Sequence, residues 1–334
     1  MKLTIAGAGP AGLACALAAR ARGWEVDLYE PEPDYPRASG TWLLNANGLL
    51  VLERLQVPVG DLTLPFREVS IESPGRGTLW TSRLDGAVVV RRPLLARLQR
   101  LGLERGARLV AAELRVLNPE AVVVAADGAC SPTRRLLGLR AWSGSSRTYL
   151  QGLSSAPPGS RCPREIWTRD GARLGLDPTA CGRTGFYLTG RVGSDWGRFR
   201  DEVRAVMSAR QEVVEKRART VLAMAWTTDR GALVGDAAHA MAPTLGQGAN
   251  AALVDGELLI ELLARGEAGR FARLRRGFML RSQLLAAATS WISTHPFPLR
   301  EELIGWLSER RWAHEWTRAY LTGQGATSER RTPC

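Results

Sequence analysis

The stretch that decides the fold is Leu3-Thr4-Ile5-Ala6-Gly7-Ala8-Gly9-Pro10-Ala11-Gly12. Leu3 to Ala6 reads as a short buried strand, Ala11 to Arg22 as an Ala- and Leu-rich helix, and Glu25 to Tyr29 alternates as a second strand. That is the start of a βαβ unit, with a GxGxxG turn between its first strand and its helix. Gly7 permits the tight turn, and Gly9 lets the backbone approach a pyrophosphate. Gly12 lets the helix pack closely on the strand, so the helix start at Pro10 and Ala11 faces the anion. Glu30 follows 18 residues after Gly12, where a carboxylate accepts from a ribose 2′-OH and repels a 2′-phosphate. An adenine dinucleotide is expected here, and the first motif leaves FAD and NAD open.

A second stretch spans residues 231–250 and decides between them. A buried strand ends at Gly235, and Asp236 stands where it could bind a ribityl hydroxyl. The loop from Pro243 through Gly246, Gln247 and Gly248 exposes backbone N–H groups just before a helix that begins near Ala249 and Asn250. Such a loop can hold an electron-rich ring edge and stabilise negative charge on it.

The segment Gly235-Asp236-Ala237-Ala238-His239, with Pro243 and Gly246-Gln247-Gly248-Ala249-Asn250, resembles the second FAD signature of the single-component aromatic-hydroxylase flavoproteins, the para-hydroxybenzoate hydroxylase-like monooxygenases. Ala126-Asp127-Gly128-Ala129-Cys130-Ser131-Pro132-Thr133-Arg134 is similar to that family's Asp-Gly segment, which lies near both FAD and the nicotinamide nucleotide. Arg91-Arg92-Pro93-Leu94, opening a helix, resembles the family's arginine that contacts the flavin nucleotide. Arg37 and Gly40 fall where the family places another flavin-contacting loop. The resemblance implies a bound FAD reduced by NADH or NADPH, which then adds O2 to form a C4a-hydroperoxide. It further implies hydroxylation or epoxidation of an aromatic or polycyclic small molecule, with no obligatory protein nucleophile. No Trp-x-Trp-x-Ile-Pro segment like that of the related flavin halogenases is present, which disfavours halogenation. The alternatives are an FAD-dependent reductase or dehydrogenase of an unsaturated lipid or quinone, and an FAD-binding protein without turnover.

Composition narrows the remaining classes. The 334 residues are 45% hydrophobic and 23% charged, the balance of an ordinary globular chain. The net charge of +12 comes almost wholly from arginines spread along the sequence, Lys2 and Lys216 being the only lysines, so a nucleic-acid partner is not expected. No apolar run nears the roughly 18 residues that span a bilayer. Lys2 leads straight into a strand, without the look of a signal peptide, and a cytoplasmic location is expected. Five cysteines without a CxxC pair and three scattered histidines suggest no metal. The sequence assigns no oligomeric state.

The expected fold is α/β: a three-layer, Rossmann-like FAD-binding domain from residues 1–62, 87–140 and 227–325. Residues 63–86 and 141–226 form a smaller inserted substrate domain with a mixed or antiparallel sheet. C-terminal helices and a polar tail over 326–334 complete the chain. Helices are expected over 48–55, with Asn45 or Asn47 as cap, over 93–102, over Phe199 to Arg219, and from about 249 to 264. Strands are expected over 108–116 and 121–125. Glu165, Trp167, Phe186 and Tyr187 are candidates for lining a substrate pocket, set against a purely core role. His239 is read as a hydrogen-bonded structural histidine in preference to a proton relay. The stretch Leu299 to Tyr320, with Trp306, Trp312 and Trp316, is read as a helix packed on the flavin domain in preference to a membrane-surface helix.

Overall fold

The computed structural model describes residues 1–35, 38–191, 193–295 and 299–321. The βαβ start forms as the sequence dictates, from β1 (Lys2–Ala6), α1 (Pro10–Arg20) and β2 (Glu25–Tyr29). Next come β3 (Thr41–Asn45), α2 (Ala46–Arg54), β4 (Thr63–Ser73), β5 (Gly77–Val90) and α3 (Arg91–Glu104). They lead into β6 (Arg108–Val110), β7 (Val122–Ala125), α4 (Pro132–Leu136) and β8 (Ala141–Ser154). Strands β9 (Arg164–Trp167), β10 (Arg173–Pro178) and β11 (Thr184–Thr189) precede α5 (Arg200–Ser208) and β12 (Arg210–Ala223). The chain closes with β13 (Gly231–Leu233), α6 (Asp236–His239), α7 (Gln247–Ala264), α8 (Phe271–Thr294), α9 (Arg300–Ser308) and α10 (Arg311–Leu321).

Two sheets result. The first has the order β13-β7-β1-β2-β6 with every neighbouring pair parallel. Its central strands β1, β7 and β13 are largely apolar, as strands covered on both faces must be, with Leu3, Ile5, Val124 and Leu233 fully buried, whereas β2 alternates toward the sheet edge. Helix α1 crosses α7 at very close range: a Cβ on Gly256 would lie 2.5 Å from the carbonyl oxygen of Ala11. A Cβ on Gly12 would lie 1.9 Å from that of Gly7. These two small residues let the N-terminus of α1 sit directly over the end of β1.

The second sheet has the order β12-β8-β11-β10-β9-β4-β5-β3, antiparallel except where β4 pairs with β9. It is the mixed sheet expected beside the dinucleotide unit, and it also takes in β3 and the end of β5. One of its faces turns to the first sheet and, with it, encloses the cleft described below.

Three expectations need correction. The helix expected over Phe199 to Arg219 ends at Ser208, and 210–223 forms strand β12 against β8. Val203, Val206 and Met207 do pack in the second core, but the Arg, Glu and Lys that follow favour a helix only locally. The unpaired edge of β8 offers a long ladder of backbone hydrogen bonds, and that non-local pairing wins. The strand expected over 108–116 is confined to Arg108–Val110, because β2, its partner, ends at Tyr29. Helices α9 and α10 pack on the second sheet and not on the first: Ile304 is buried with Leu79 and Trp167, and His314 stacks on Trp80 at 4.5 Å. Asn45, not Asn47, caps α2, its side chain accepting the N–H of Gly48 at 3.1 Å. Among the described residues no helix is long and apolar enough to cross a membrane.

Candidate active site

The glycine turn is fixed by its own geometry. Gly7 has φ +96°, and a Cβ there would stand 2.4 Å from the carbonyl oxygen of Ala126, so only glycine fits. Gly9 is extended and opens α1 without a side-chain cap, leaving the helix N-terminus facing outward. The carboxylate of Glu30 folds back onto the turn, accepting the N–H of Ala8 at 2.9 Å and that of Glu32 at 3.0 Å.

A cleft of about 660 Å³ opens in front of this turn. Its first wall holds Gly9, Pro10 and Ala11 from the turn, Arg91 from the start of α3, Gly128 and Asp236. Pro243, Gly246, Gln247, Gly248, Ala249 and Asn250 continue it. Four separate stretches of sequence thus converge on one surface. Gly7, Gly12, Glu30 and Gly235 stand behind it as the scaffold of the two turns. Gly40 is likewise behind, its carbonyl accepting the N–H of Arg91 at 3.1 Å. Asp127 points away: it accepts from the Ser131 hydroxyl and from the Thr133 N–H at 2.9 Å, which ties down the start of α4. Arg92 lines a separate hollow with Pro33, Asp34 and Tyr35, donating to the Tyr35 carbonyl at 3.2 Å. Arg37 lies outside the described residues.

Asn250 has a second task that its position in the motif does not reveal. Its amide accepts the N–H of Asn45 at 3.0 Å and donates to the carbonyls of Leu43 and Gly246, each at 2.9 Å. It therefore bolts the start of α7 to β3. The sequence reading also passed over Asp255, which is fully buried and binds His239 and Arg275. Of the three acids of α7, Asp255, Glu257 and Glu261, only Asp255 falls on its buried face, and that placement was the available signal. His239 is a structural partner in this buried cluster, as read from the sequence.

Charged groups in the cleft form a coupled set. Arg91 donates to the Thr41 carbonyl at 2.8 Å and lies 5.2 Å over the ring of Trp42, and burial lowers its pKa. Asp236 faces the cleft, where enclosure by protein raises its carboxyl against the opposing pull of His239, Lys216 and Arg91. Burial, with Arg91 nearby, pushes Lys216 down to about 8.

The facing wall is the second sheet. Glu165, Trp167 and Tyr187 line the cleft, whereas Phe186 is buried in the second core. Arg173, behind them, gives its guanidinium to Glu165 at 2.7 and 2.5 Å. Asp177 accepts the Thr41 hydroxyl at 2.5 Å, and burial pushes its carboxyl up to about 6.

The first wall suits a dinucleotide. Ideal Cβ atoms at Gly9, Gly128 and Gly248 would meet nothing within 4 Å, so the backbone there is bare toward open space. Two helices, α1 and α7, begin at this wall without side-chain caps, the arrangement that binds phosphate and other anions.

Fold and cleft together define an FAD-dependent oxidoreductase. A family model described as FAD binding domain matches residues 200–273. The chain is similar to 3-amino-4-hydroxybenzoate 2-monooxygenase of Streptomyces cremeus, 27% identical over 319 residues that cover 79% of this chain and 78% of the relative. A probable 2-heptyl-3-hydroxy-4(1H)-quinolone synthase of Rhodococcus erythropolis is 25% identical over 294 residues, covering 75% and 76%. The solved 2-methyl-3-hydroxypyridine-5-carboxylic acid oxygenase shares the fold with TM-score 0.77 and 22% identity, over 91% of this chain and 96% of that one. HpxO of Klebsiella pneumoniae, solved with FAD and uric acid, does so with TM-score 0.75 and 20% identity, over 96% and 97%. The relatives it matches are FAD-dependent, aromatic-hydroxylase-type monooxygenases, and the chain is similar to them in sequence and in fold.

Proposed function

We propose that this protein uses NADH or NADPH and O2 to hydroxylate, or epoxidise, an aromatic or polycyclic small molecule. The observation that carries the proposal is the single cleft with two unlike walls. One is bare backbone at two helix starts, and the other is a sheet face bearing aromatic side chains and a few fixed polar groups. Bound FAD would supply hydride acceptance and oxygen transfer.

The chain's own residues bind and orient. Gly7, Gly9, Pro10, Ala11 and Gly12 hold the pyrophosphate at the start of α1, with Glu30 on the ribose. Arg91 meets phosphate or the flavin edge, and Gly128 lies against the nucleotide where Asp127 has fixed the turn. Asp236 takes a ribityl hydroxyl, held in place by the Gly235 backbone. The Pro243 to Asn250 loop presents backbone N–H groups to the electron-rich edge of the ring. Phe66, Trp80, Trp167 and Leu245 exclude water from the far side.

The test is chemical. Protein purified with its cofactor should release FAD on heating and transfer one atom of labelled O2 into product. Product formed without label would favour the reductase of a lipid or quinone. NAD as the released nucleotide would overturn the assignment of the first wall.

A further inference from the structure

Arg173 on β10 is 2% exposed and does not reach the surface of the cleft. Its Nε donates to one oxygen of Glu165 at 2.7 Å and its Nη2 to the other at 2.5 Å. The Trp167 indole and the Tyr187 hydroxyl donate to the same carboxylate, which is thereby saturated. The guanidinium lies 5.7 Å over the ring of Trp167 and 5.2 Å over that of Tyr187. Strand register brings these groups together, with Gly175 opposite Glu165 on one side and Tyr187 on the other. A Cβ on Gly175 would stand 1.9 Å from the Tyr187 ring, so the glycine is what lets that ring lean across to Glu165.

The same Nη2 also donates to the backbone carbonyl of Thr244, at 3.2 Å, in the opposite wall. Thr244 lies in the turn that leads through Gly246 into the start of α7. Its hydroxyl donates to the Ala286 carbonyl of α8 at 2.9 Å. Further along, Asn250 donates to the Gly246 carbonyl at 2.9 Å, and the Asn45 amide donates to Gln247 at 3.2 Å. Of these four ties on the loop, only that of Arg173 carries charge and starts from the aromatic wall. A buried ion pair is a poor source of stability, since replacing both members by neutral side chains of similar volume is often neutral or stabilising. What arginine offers over an apolar side chain is a rigid fork of donors. Here one prong of the fork serves acceptors on both walls of the cleft.

We infer that Arg173 is a positioning residue for the flavin: it ties the Thr244 carbonyl to the Glu165–Tyr187 pair and so sets how the first N–H groups of α7 are presented to the ring. The inference rests on the reading of the Pro243 to Asn250 loop as the place of the ring's electron-rich edge. Without the fork, the Thr244 carbonyl loses its charged donor and the turn before Gly246 loses its link to the second sheet. The helix start is then less well fixed. An anionic reduced flavin depends on that fixed field more than the oxidised form does, so the reduced state loses more.

The double replacement Glu165→Gln with Arg173→Met removes the fork without stranding a charge. Its apoprotein should melt close to the wild type. It should nevertheless bind FAD about tenfold more weakly, shift the visible absorption of the bound flavin and lower its reduction potential. Gly248→Pro acts on the same loop, so combining it with the double replacement should lower the potential by less than the sum of the two separate shifts. Should the double replacement fail to fold, Arg173→Lys is read in the same way, because it keeps the charge beside Glu165 and loses the fork. Wild-type affinity, spectrum and potential in a folded, flavin-loaded variant would overturn the inference, as would strictly additive shifts. These readouts need neither substrate nor oxygen. Protein that takes up no FAD would overturn the assignment of the first wall and this inference with it, whereas product formed without labelled oxygen would count only against the monooxygenase reading.

Discussion

Asp255 accepts the backbone N–H of Gly235 at 3.0 Å, so a buried residue of α7 sets the backbone from which Asp236 enters the cleft. The same carboxylate holds Arg275 at 2.7 Å and His239. Burial pulls its pKa upward, but the charges of His239 and Arg275 outweigh that and hold it at about 2. Removing one partner of a buried pair strands the other charge, and Asp255→Ala should cost about 3–5 kcal/mol. The depressed carboxylate contributes stability that is fully present above its ordinary value of 3.8 and is lost as pH falls toward about 2. Thermal melts of wild type and Asp255→Asn should therefore converge on acidification through this window. Parallel melting curves across it would show that the cluster does not stabilise the fold.

Gly7 and Gly9 should fail in different ways. Gly7 needs its positive φ and has no room for a Cβ, so Gly7→Ala should destabilise the whole fold. Gly9 has ordinary φ of −74° and open space beyond it, so Gly9→Val should leave the melting temperature of the cofactor-free protein nearly unchanged. The branched side chain would nevertheless occupy the space where a pyrophosphate must approach. Melting curves of apoprotein together with equilibrium FAD titrations separate the two. Loss of stability in Gly9→Val, or normal FAD affinity, would mean that the open space is not the nucleotide site.

Much of this site was legible because its signals are local. The GxGxxG turn, the acid after β2 and the 235–250 segment each carry their geometry in neighbouring residues, and both turns formed between a strand and a helix as read. What escaped depends on distant pairing. The helical pattern continuing past Ser208 could not reveal that β8 leaves an open edge for residues 210–223. Arg173, Gly175 and Tyr187 are unremarkable singly; only the strand register places one guanidinium, one missing side chain and one phenol around Glu165. Asp127 and Asn250 sit in recognisable motifs, yet their side chains are engaged in holding α4 and β3. The spacing of a motif records which residue is needed there and is silent on whether that residue faces the ligand or the scaffold.

Asp177 offers a test by pH. Burial raises its carboxyl to about 6, with the Thr41 hydroxyl and Arg91 opposing and Glu165 reinforcing the rise. A raised carboxylate favours folding below its ordinary value of 3.8, and that contribution declines as pH climbs to about 6 and stays lost above it. Asp177→Asn removes the burial of charge, so it should raise stability at pH 8 by about 1–3 kcal/mol and change little at pH 4. Denaturant unfolding at the two pH values gives the answer. A destabilised Asp177→Asn at pH 8 would show that the Thr41 bond and Arg91 outweigh the burial.

The start of α7 carries the most mechanistic prediction. Gly246 is left-handed, at φ +62°, and turns the chain so that the helix begins at Gln247 with no side-chain cap, its first N–H groups directed to the cleft. A reduced flavin is anionic and is favoured by such a helix start. No lysine, arginine or histidine lies between Pro243 and Asn250, so within this loop the backbone alone supplies the favourable field. Gly248→Pro deletes one N–H at a first-turn position where proline is tolerated. Gly248→Ala keeps the N–H and places its Cβ in open space, making it the control. A first-turn interaction worth about 0.3–1 kcal/mol corresponds to about 6–21 mV for a two-electron couple. Gly248→Pro should lower the flavin reduction potential by that amount and slow reduction by NADH or NADPH, whereas Gly248→Ala should match the wild type. Spectroelectrochemical titration with stopped-flow reduction reads both. An unchanged potential in folded, flavin-loaded Gly248→Pro would place the stabilisation of flavin charge elsewhere, with Arg91 and Lys216, the cations beside Asp236, the next to be tested.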